Sequence, residues 1–166
     1  MQHGAAGITL AVEPADSESS VIVQQAFFAE IASRYPGWEP AASQSVEPAE
    51  LSPPDGVWLV AYRDRRPIGC GGLQRLDAQT AEIRRLFLDH AARGRGVGRA
   101  LLAELEAHAD RLGYERVRLT TGDKQPEALR LFESAGYMEI PPFTNGAFTR
   151  YWMEKLLHVA SEQASR

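Results

Sequence analysis

The sequence contains one cysteine, Cys70, and no long apolar run. A lone cysteine cannot form an intrachain disulfide or a cysteine-rich zinc site, so we expect a reducing, cytoplasmic setting and no metal. A membrane-spanning helix needs ~18–20 consecutive apolar residues, and no segment approaches that length. Residues 1–10 lack the basic and apolar regions of a signal peptide. We therefore expect a protein that is not exported by that route and does not associate with a membrane.

Positive charge is also scarce. The chain has 18 basic against 22 acidic residues, a formal net charge of -4, and its only lysines are Lys124 and Lys155. This balance does not favour a general binder of polyanions, and we expect no nucleic-acid partner. The composition, 44% hydrophobic and 24% charged, is typical of a soluble globular protein. At 166 residues, we expect a single domain over residues 1–166.

Hydrophobic periodicity predicts an alternation of strands and helices. The predicted strands cover residues 8–12, 57–62, 68–73, 81–88, 116–121, 137–140 and 151–156. The predicted helices cover residues 17–35 and 98–112, with a shorter one from Pro126 to just before Gly136. Five prolines between positions 36 and 56 predict a long loop that holds at most one short helix. The order predicts an α/β or α+β fold, with helices packed on a sheet.

A glycine-rich turn separates an apolar strand from the strongest predicted helix. Residues 93–98 read RGRGVG. The first N–H groups of a helix lack partners and point outward at the positive end of its dipole, where anions bind. The turn supplies glycines without Cβ atoms and arginines with positive charge, at Gly94, Gly96, Gly98, Arg93, Arg95 and Arg99. This pattern predicts a phosphorylated cofactor.

The two common nucleotide motifs do not match this turn. The dinucleotide fingerprint would need glycine at position 99, which is Arg99, and the Gly-Lys-Ser/Thr sequence of the P-loop is absent. A glycine-rich turn without any ligand is the alternative.

Residues 86–102, LFLDHAARGRGVGRALL, resemble the acetyl-CoA-binding motif of the GNAT acyltransferases. Arg93, Gly96 and Gly98 fill its signature, which is Gln or Arg, two residues, Gly, one residue, then Gly or Ala. Residues 125–137, QPEALRLFESAGY, resemble the second conserved segment of the same family. The resemblance covers residues 57–156. It implies a mixed, mostly antiparallel central sheet of about six to seven strands with about four helices.

The resemblance also implies acetyl-CoA as the cosubstrate. Main-chain N–H groups from Gly94 to Arg99, including that of Val97, would hold the pyrophosphate. The pantetheine would lie along the strand ending in Leu86, Phe87 and Leu88, and the thioester oxygen would meet an N–H near Phe87 or Leu88. Gln125 stands where many members carry asparagine, and its amide can still bond to pantetheine.

Direct transfer to an amine requires a base, because only the neutral amine attacks. Glu82, in a predicted central strand, is our candidate, since some members place a glutamate at the same offset. The alternative is a structural ion pair between Glu82 and Arg84 or Arg85.

The family's usual acid, a tyrosine, is replaced here by Phe132. Tyr137 or Tyr151 would then protonate the thiolate, water would, or the thiolate leaves without help.

The resemblance thus predicts an N-acetyltransferase that acts on a primary amine of a small molecule or a protein. A CoA-binding regulatory domain with little or no turnover is the alternative. A homodimer is possible, since similar proteins are commonly dimers. We expect the acceptor beside the first helix and the two proline-containing loops. There Trp38 or Phe143 would wall the pocket, and acidic loop residues would attract the amine, with Glu39, Glu47 and Glu50 as candidates.

Overall fold

The computed structural model describes residues 2–4, 7–42 and 45–157. The strands are β1 (Gln2–Gly4), β2 (Ile8–Val12), β3 (Val57–Arg63), β4 (Arg66–Arg75), β5 (Thr80–Leu88), β6 (Arg116–Thr121), β7 (Met138–Glu139) and β8 (Tyr151–Leu156). The α-helices are α1 (Glu18–Arg34), α2 (Val97–Arg111) and α3 (Pro126–Ser134). Short 3-10 turns lie at Pro40–Ala42, Pro48–Leu51 and His90–Ala92. Residues 158–166 of the predicted domain lie outside the described residues.

All eight strands join one sheet in the order β1-β2-β3-β4-β5-β6-β8-β7. Every neighbouring pair is antiparallel except β5 and β6, which are parallel. The predicted class, a mixed and mostly antiparallel sheet with helices, is confirmed. Among the described residues the count is slightly higher in strands and lower in α-helices than expected. β1 and β7 are only three and two residues long, and the proline-rich loop forms 3-10 turns instead of an α-helix.

The helices cover opposite faces of the sheet. α1 begins where Oγ of Ser17 accepts a hydrogen bond from the N–H of Ser20 (3.2 Å). Its buried Val23 packs in a cluster with Trp58 and Cys70 on one face. α2 and α3 pack on the other face around a second cluster. That cluster is formed by 19 buried residues, among them Leu73, Leu101, Leu105, Val117, Leu119 and Phe132.

β5 and β6 pair for only three residues, Thr80–Glu82 against Arg116–Arg118, and then diverge. β5 is irregular just beyond this point, since its register with β4 shifts between Cys70 and Gly72 and Arg85 has a positive φ of 54°. Beyond Glu82, the β6-facing backbone groups of β5 therefore have no strand partner among the described residues. The divergence opens a wedge that leads to the start of α2.

Leu105 tests the α2 side of the core. It is fully buried, and its side chain lies over Gly71 of β4, where an added Cβ would come within 2.8 Å of it. We expect Leu105→Ala to lower the free energy of unfolding by about 2–5 kcal/mol in urea titrations, because it leaves a cavity. Leu112→Ala, at a position that is 40% exposed, is the control and should change it by less than about 1 kcal/mol. Equal losses would contradict this packing.

Candidate active site

Two adjoining depressions lie around the wedge. The first, which we call the wedge groove, has a volume of about 260 Å³. It brings together most of the residues expected to bind the cofactor: Leu86, Phe87, Leu88, Arg93, Gly94, Gly96, Gly98, Arg99, Gln125 and Phe132. Two expected residues do not line it. Arg95 is exposed to solvent, and the side chain of Val97 is buried in the core, so only its backbone can face a ligand.

The turn at the start of α2 presents the first N–H groups of the helix, which have no partner within the helix itself. Gly96 occupies the N-cap position in the left-handed conformation (φ 80°, ψ 5°). Among the described residues, no side chain makes a capping hydrogen bond there. Gly94 has the same sign of φ, 81°, and an added Cβ would meet nothing within 4 Å at either glycine. The glycines are therefore required by backbone conformation and not by crowding within the protein. With the helix dipole, these N–H groups form an anion site.

The side chain of Arg93 makes contacts within the protein that the sequence did not predict. Its Nη2 donates to both carboxylate oxygens of Glu30 (2.7 Å each), and its Nε donates to the carbonyl oxygen of Leu88 (3.0 Å). Glu127 of α3 also lies 3.8 Å from the Arg93 guanidinium. The prediction that Arg93 supplies charge to a phosphate stays a prediction, and Glu30 competes for that charge. Glu30 belongs to α1 and Glu127 to α3, so the side chain of Arg93 links the turn to both helices.

Aromatic side chains and one amide line the inner part of the wedge groove. Phe87 is buried against Phe27 of α1, with ring centroids 5.8 Å apart. Phe132 is 5% exposed and packs edge-on against Tyr137. Oε1 of Gln125 accepts a hydrogen bond from the N–H of Gly122 (3.4 Å). Phe87 and Phe132 therefore build the wall, and the backbone of β5 that lacks a strand partner among the described residues supplies polar groups.

The second depression, which we call the α1 pocket, lies between α1 and the α1-facing side of the sheet. Its aromatic wall is formed by Phe27, Phe28, Tyr35, Trp38 and Phe148, and its charged residues are Glu82, Arg84 and Arg85. Trp38 thus lies where we expected a pocket wall. Phe143 does not line it, because Arg118 stacks over that ring (5.3 Å). The expected acidic loop residues Glu39, Glu47 and Glu50 are exposed and do not line it either.

Glu82 is a buried carboxylate in the wall of the α1 pocket, 5% exposed. Burial raises its pKa, and the charge of Arg84 acts against that rise. The Nε of Arg84 lies 3.9 Å from Oε1 of Glu82. The two interpretations from the sequence, a base and an ion pair, are therefore compatible in one residue, because a paired carboxylate with a raised pKa can still take a proton.

Tyr137 lines neither depression, which argues against the prediction that it acts as the acid. Its hydroxyl donates to Oε2 of Glu106 (2.9 Å), and Lys155 donates to the other carboxylate oxygen (2.8 Å). Burial and the Glu106 charge hold the pKa of Tyr137 well above its usual range. The hydroxyl proton of Tyr137 is therefore directed at Glu106. Tyr151 lines neither depression either, and Arg150 lies over its ring (4.8 Å).

Sequence reasoning missed Arg85 as a pocket residue and treated it only as a partner of Glu82. Its Nη1 donates to Oε1 of Gln24 in α1 (2.7 Å), and its guanidinium lies over the ring of Phe28 (4.9 Å). The signal present in the sequence was two adjacent arginines in an otherwise apolar strand. A regular strand would send one of them to each face, and the irregular backbone at Arg85 changes that direction.

Within the ranges that the structure describes, no group of three His, Cys, Asp or Glu side chains is arranged to hold a metal ion. In the same ranges, no helix combines the length and apolar character needed to cross a bilayer.

Comparison with known proteins identifies the family. The sequence profile of the acetyltransferase (GNAT) family matches residues 24–137. An IAA acetyltransferase of Azospirillum brasilense is 34% identical over 95 residues, which cover 56% of this chain and 61% of that protein. The chain belongs to the GNAT family. The match spans less than two thirds of the length of this relative.

Solved structures share the fold at low identity. A GNAT-family acetyltransferase from Staphylococcus aureus superposes with a TM-score of 0.75 at 18% identity, over 90% of this chain and 99% of that one. An N-acetyltransferase from Thermoplasma acidophilum, solved in complex with coenzyme A, gives a TM-score of 0.68 at 19% identity, over 89% of this chain and 99% of that one. These similarities support the fold described above.

Tyr137→Phe separates a structural role from a chemical one. We expect the free energy of unfolding to fall by about 1–3 kcal/mol, because a buried hydrogen bond to a carboxylate is lost. Coenzyme A affinity, measured by calorimetry, should stay within about twofold, since the side chain lines neither depression. An unchanged stability together with a large loss of acetyl transfer would restore Tyr137 as the acid.

Proposed function

We propose that this protein is an N-acetyltransferase that transfers the acetyl group of acetyl-CoA to a primary amine. One observation carries the proposal: the uncapped start of α2 and the unpaired backbone of β5 line a single groove beside a pocket that holds Glu82. Membership of the GNAT family supports it. A cytoplasmic setting, which the single buried Cys70 favours, is part of the proposal.

The residues present fit acetyl-CoA. Backbone N–H groups from Gly94 to Arg99 would hold the diphosphate, because their helix end lacks a side-chain cap. The backbone of β5 beyond Glu82 lacks a strand partner, so it would bind the amides of the pantetheine as an added strand does. Gln125 lines both depressions and would bond to the same arm. The structural relative bound to coenzyme A supports this assignment.

When bound, acetyl-CoA would supply the acetyl group as a thioester whose carbonyl carbon the neutral amine attacks, forming a C–N bond as the C–S bond breaks. Glu82 would take the proton that the amine nitrogen loses. The main-chain N–H near Phe87 or Leu88 would face the developing negative charge on oxygen, an interaction worth about 3–4 kcal/mol of barrier. Phe132 has no proton to give and Tyr137 is held by Glu106. Water would then protonate the sulfur, or the thiolate would leave without help.

Gly96→Val tests the anion site. A side chain at φ 80° strains the turn by about 1–3 kcal/mol and displaces the N–H groups, so coenzyme A affinity should fall by about tenfold or more in calorimetry. Gly113→Val is the matched control. Gly113 has φ 90° and open space around its Cβ position, and it follows the C-terminal end of the same helix. Equal affinity in the two variants would contradict the site.

Glu82→Gln tests the base. We expect kcat to fall by about 10²–10⁴-fold with coenzyme A affinity unchanged, measured as thiol release. In the wild type, kcat/KM should fall at acidic pH with a pKa above the ordinary carboxyl value of 4.5, because burial raises the pKa of Glu82. Activity rises with pH through this pKa, since the base works ionised. This pH dependence should disappear in the variant.

Glu39→Gln changes an exposed loop carboxylate and is the matched control, with activity retained. The competing function is a CoA-binding domain without turnover. It would be favoured if coenzyme A binds the wild type but no thiol is released with polyamines, aminoglycosides, amino acids or peptides.

A further inference from the structure

The charges of the α1 pocket differ from those expected for a site that attracts a cationic amine. Its charged lining residues are two arginines and one glutamate, Arg84, Arg85 and Glu82. Glu82 lies beside Arg84, and no Asp or Glu among the described residues forms an ion pair with Arg85. The pocket therefore carries one positive charge without an acidic partner.

The guanidinium of Arg85 is fixed in place by α1. The side-chain amide of Gln24, itself buried, donates to the carbonyl oxygens of Ala15 (2.8 Å) and Ser20 (3.1 Å). This orients Oε1 of Gln24 toward Nη1 of Arg85 (2.7 Å). The guanidinium also lies over the ring of Phe28, with its Cζ 4.9 Å from the ring centroid. Gln24 accepts from one of the five N–H donors of Arg85. The contacts with Gln24 and Phe28 fix the position of the guanidinium and therefore the direction of its other donors.

Thr121 also borders the α1 pocket, but its hydroxyl is buried. Oγ1 of Thr121, on a residue that is 7% exposed, has no hydrogen-bond partner among the described residues. Thr121 lies at the end of β6, where the α1 pocket meets the wedge. Its hydroxyl oxygen is buried out of reach of solvent, so it does not contribute to binding of the acceptor. The remaining wall is aromatic, formed by Phe27, Phe28, Tyr35, Trp38 and Phe148.

We infer that the acceptor of this acetyltransferase is an amine that also carries a carboxylate on an apolar body, with the carboxylate bound by Arg85. The inference rests on the proposed function. Guanidinium and carboxylate match in charge and in planar geometry, and paired N–H donors bind two carboxylate oxygens. The aromatic wall takes the apolar body. A dication such as a polyamine would place a positive charge against Arg85, which opposes binding.

The experiment compares amines that differ only in the carboxylate. The pairs are phenylalanine with 2-phenylethylamine and tryptophan with tryptamine, each assayed by thiol release with acetyl-CoA. We expect kcat/KM to be higher by about tenfold or more for the carboxylated member, because a charge-assisted bidentate pair is lost in the other. Most of the difference should appear in KM, since Arg85 binds the acceptor and takes no part in proton transfer.

Arg85→Gln should remove this preference by lowering kcat/KM for the amino acid alone, and Arg85→Lys should retain part of it. Arg66→Gln, at the exposed first residue of β4, is the matched control and should leave it intact. Calorimetry with the product, N-acetylphenylalanine, gives a readout without turnover, and its affinity should fall by about tenfold in Arg85→Gln. Coenzyme A affinity in the same variant checks that the fold is intact.

Three results would overturn the inference. In the first, amines without a carboxylate would have the same kcat/KM as the matching amino acids. In the second, Arg85→Gln would leave the preference and the product affinity unchanged. In the third, succinyl-CoA would replace acetyl-CoA with higher kcat/KM, which would assign Arg85 to a carboxylate on the acyl donor. Each of these leaves acetyl or acyl transfer itself in place. The absence of thiol release with every amine would instead defeat the proposed function, and the inference with it.

Discussion

Unpaired backbone hydrogen-bonding groups at one place in the sheet are what the rest of the site depends on. β5 and β6 part after Glu82, and α2 begins without a side-chain cap. Main-chain groups without a partner in the protein must bond to water or to a ligand, so a fold that leaves two sets of them around one groove is suited to a ligand that satisfies both. A long molecule with amides at one end and a diphosphate at the other meets that requirement.

Charged side chains surround the start of α2 and the strand β5. Arg93 is paired with Glu30 and approached by Glu127, so the anion site that we propose at this turn relies on N–H groups more than on this arginine. Glu82 and Arg84 share the α1-facing side of the sheet. Burial favours the neutral form of Glu82, which suits a group that must accept a proton. Arg85 adds a charge that belongs to neither the turn nor the base.

Features set by local sequence were predictable, and features set by distant contacts were not. The start of α2 followed from glycines at 94, 96 and 98, because turn conformation is a local property. The partner of Arg93 was not predictable, since Glu30 lies 63 positions away. Arg85 enters the α1 pocket because of a register shift between β4 and β5, and the two adjacent arginines alone do not fix where that shift falls. Tyr137 had suitable chemistry, but its bond to Glu106 depends on how α2 packs.

Amide NMR of the isotope-labelled protein during titration with coenzyme A measures the central claim most directly. The account predicts that the largest shifts fall on the N–H groups of Gly94, Gly96 and Gly98 and on those of β5 beyond Glu82, with saturation at one equivalent. Shifts absent from these amides, or binding that moves only exposed arginine side chains, would contradict it.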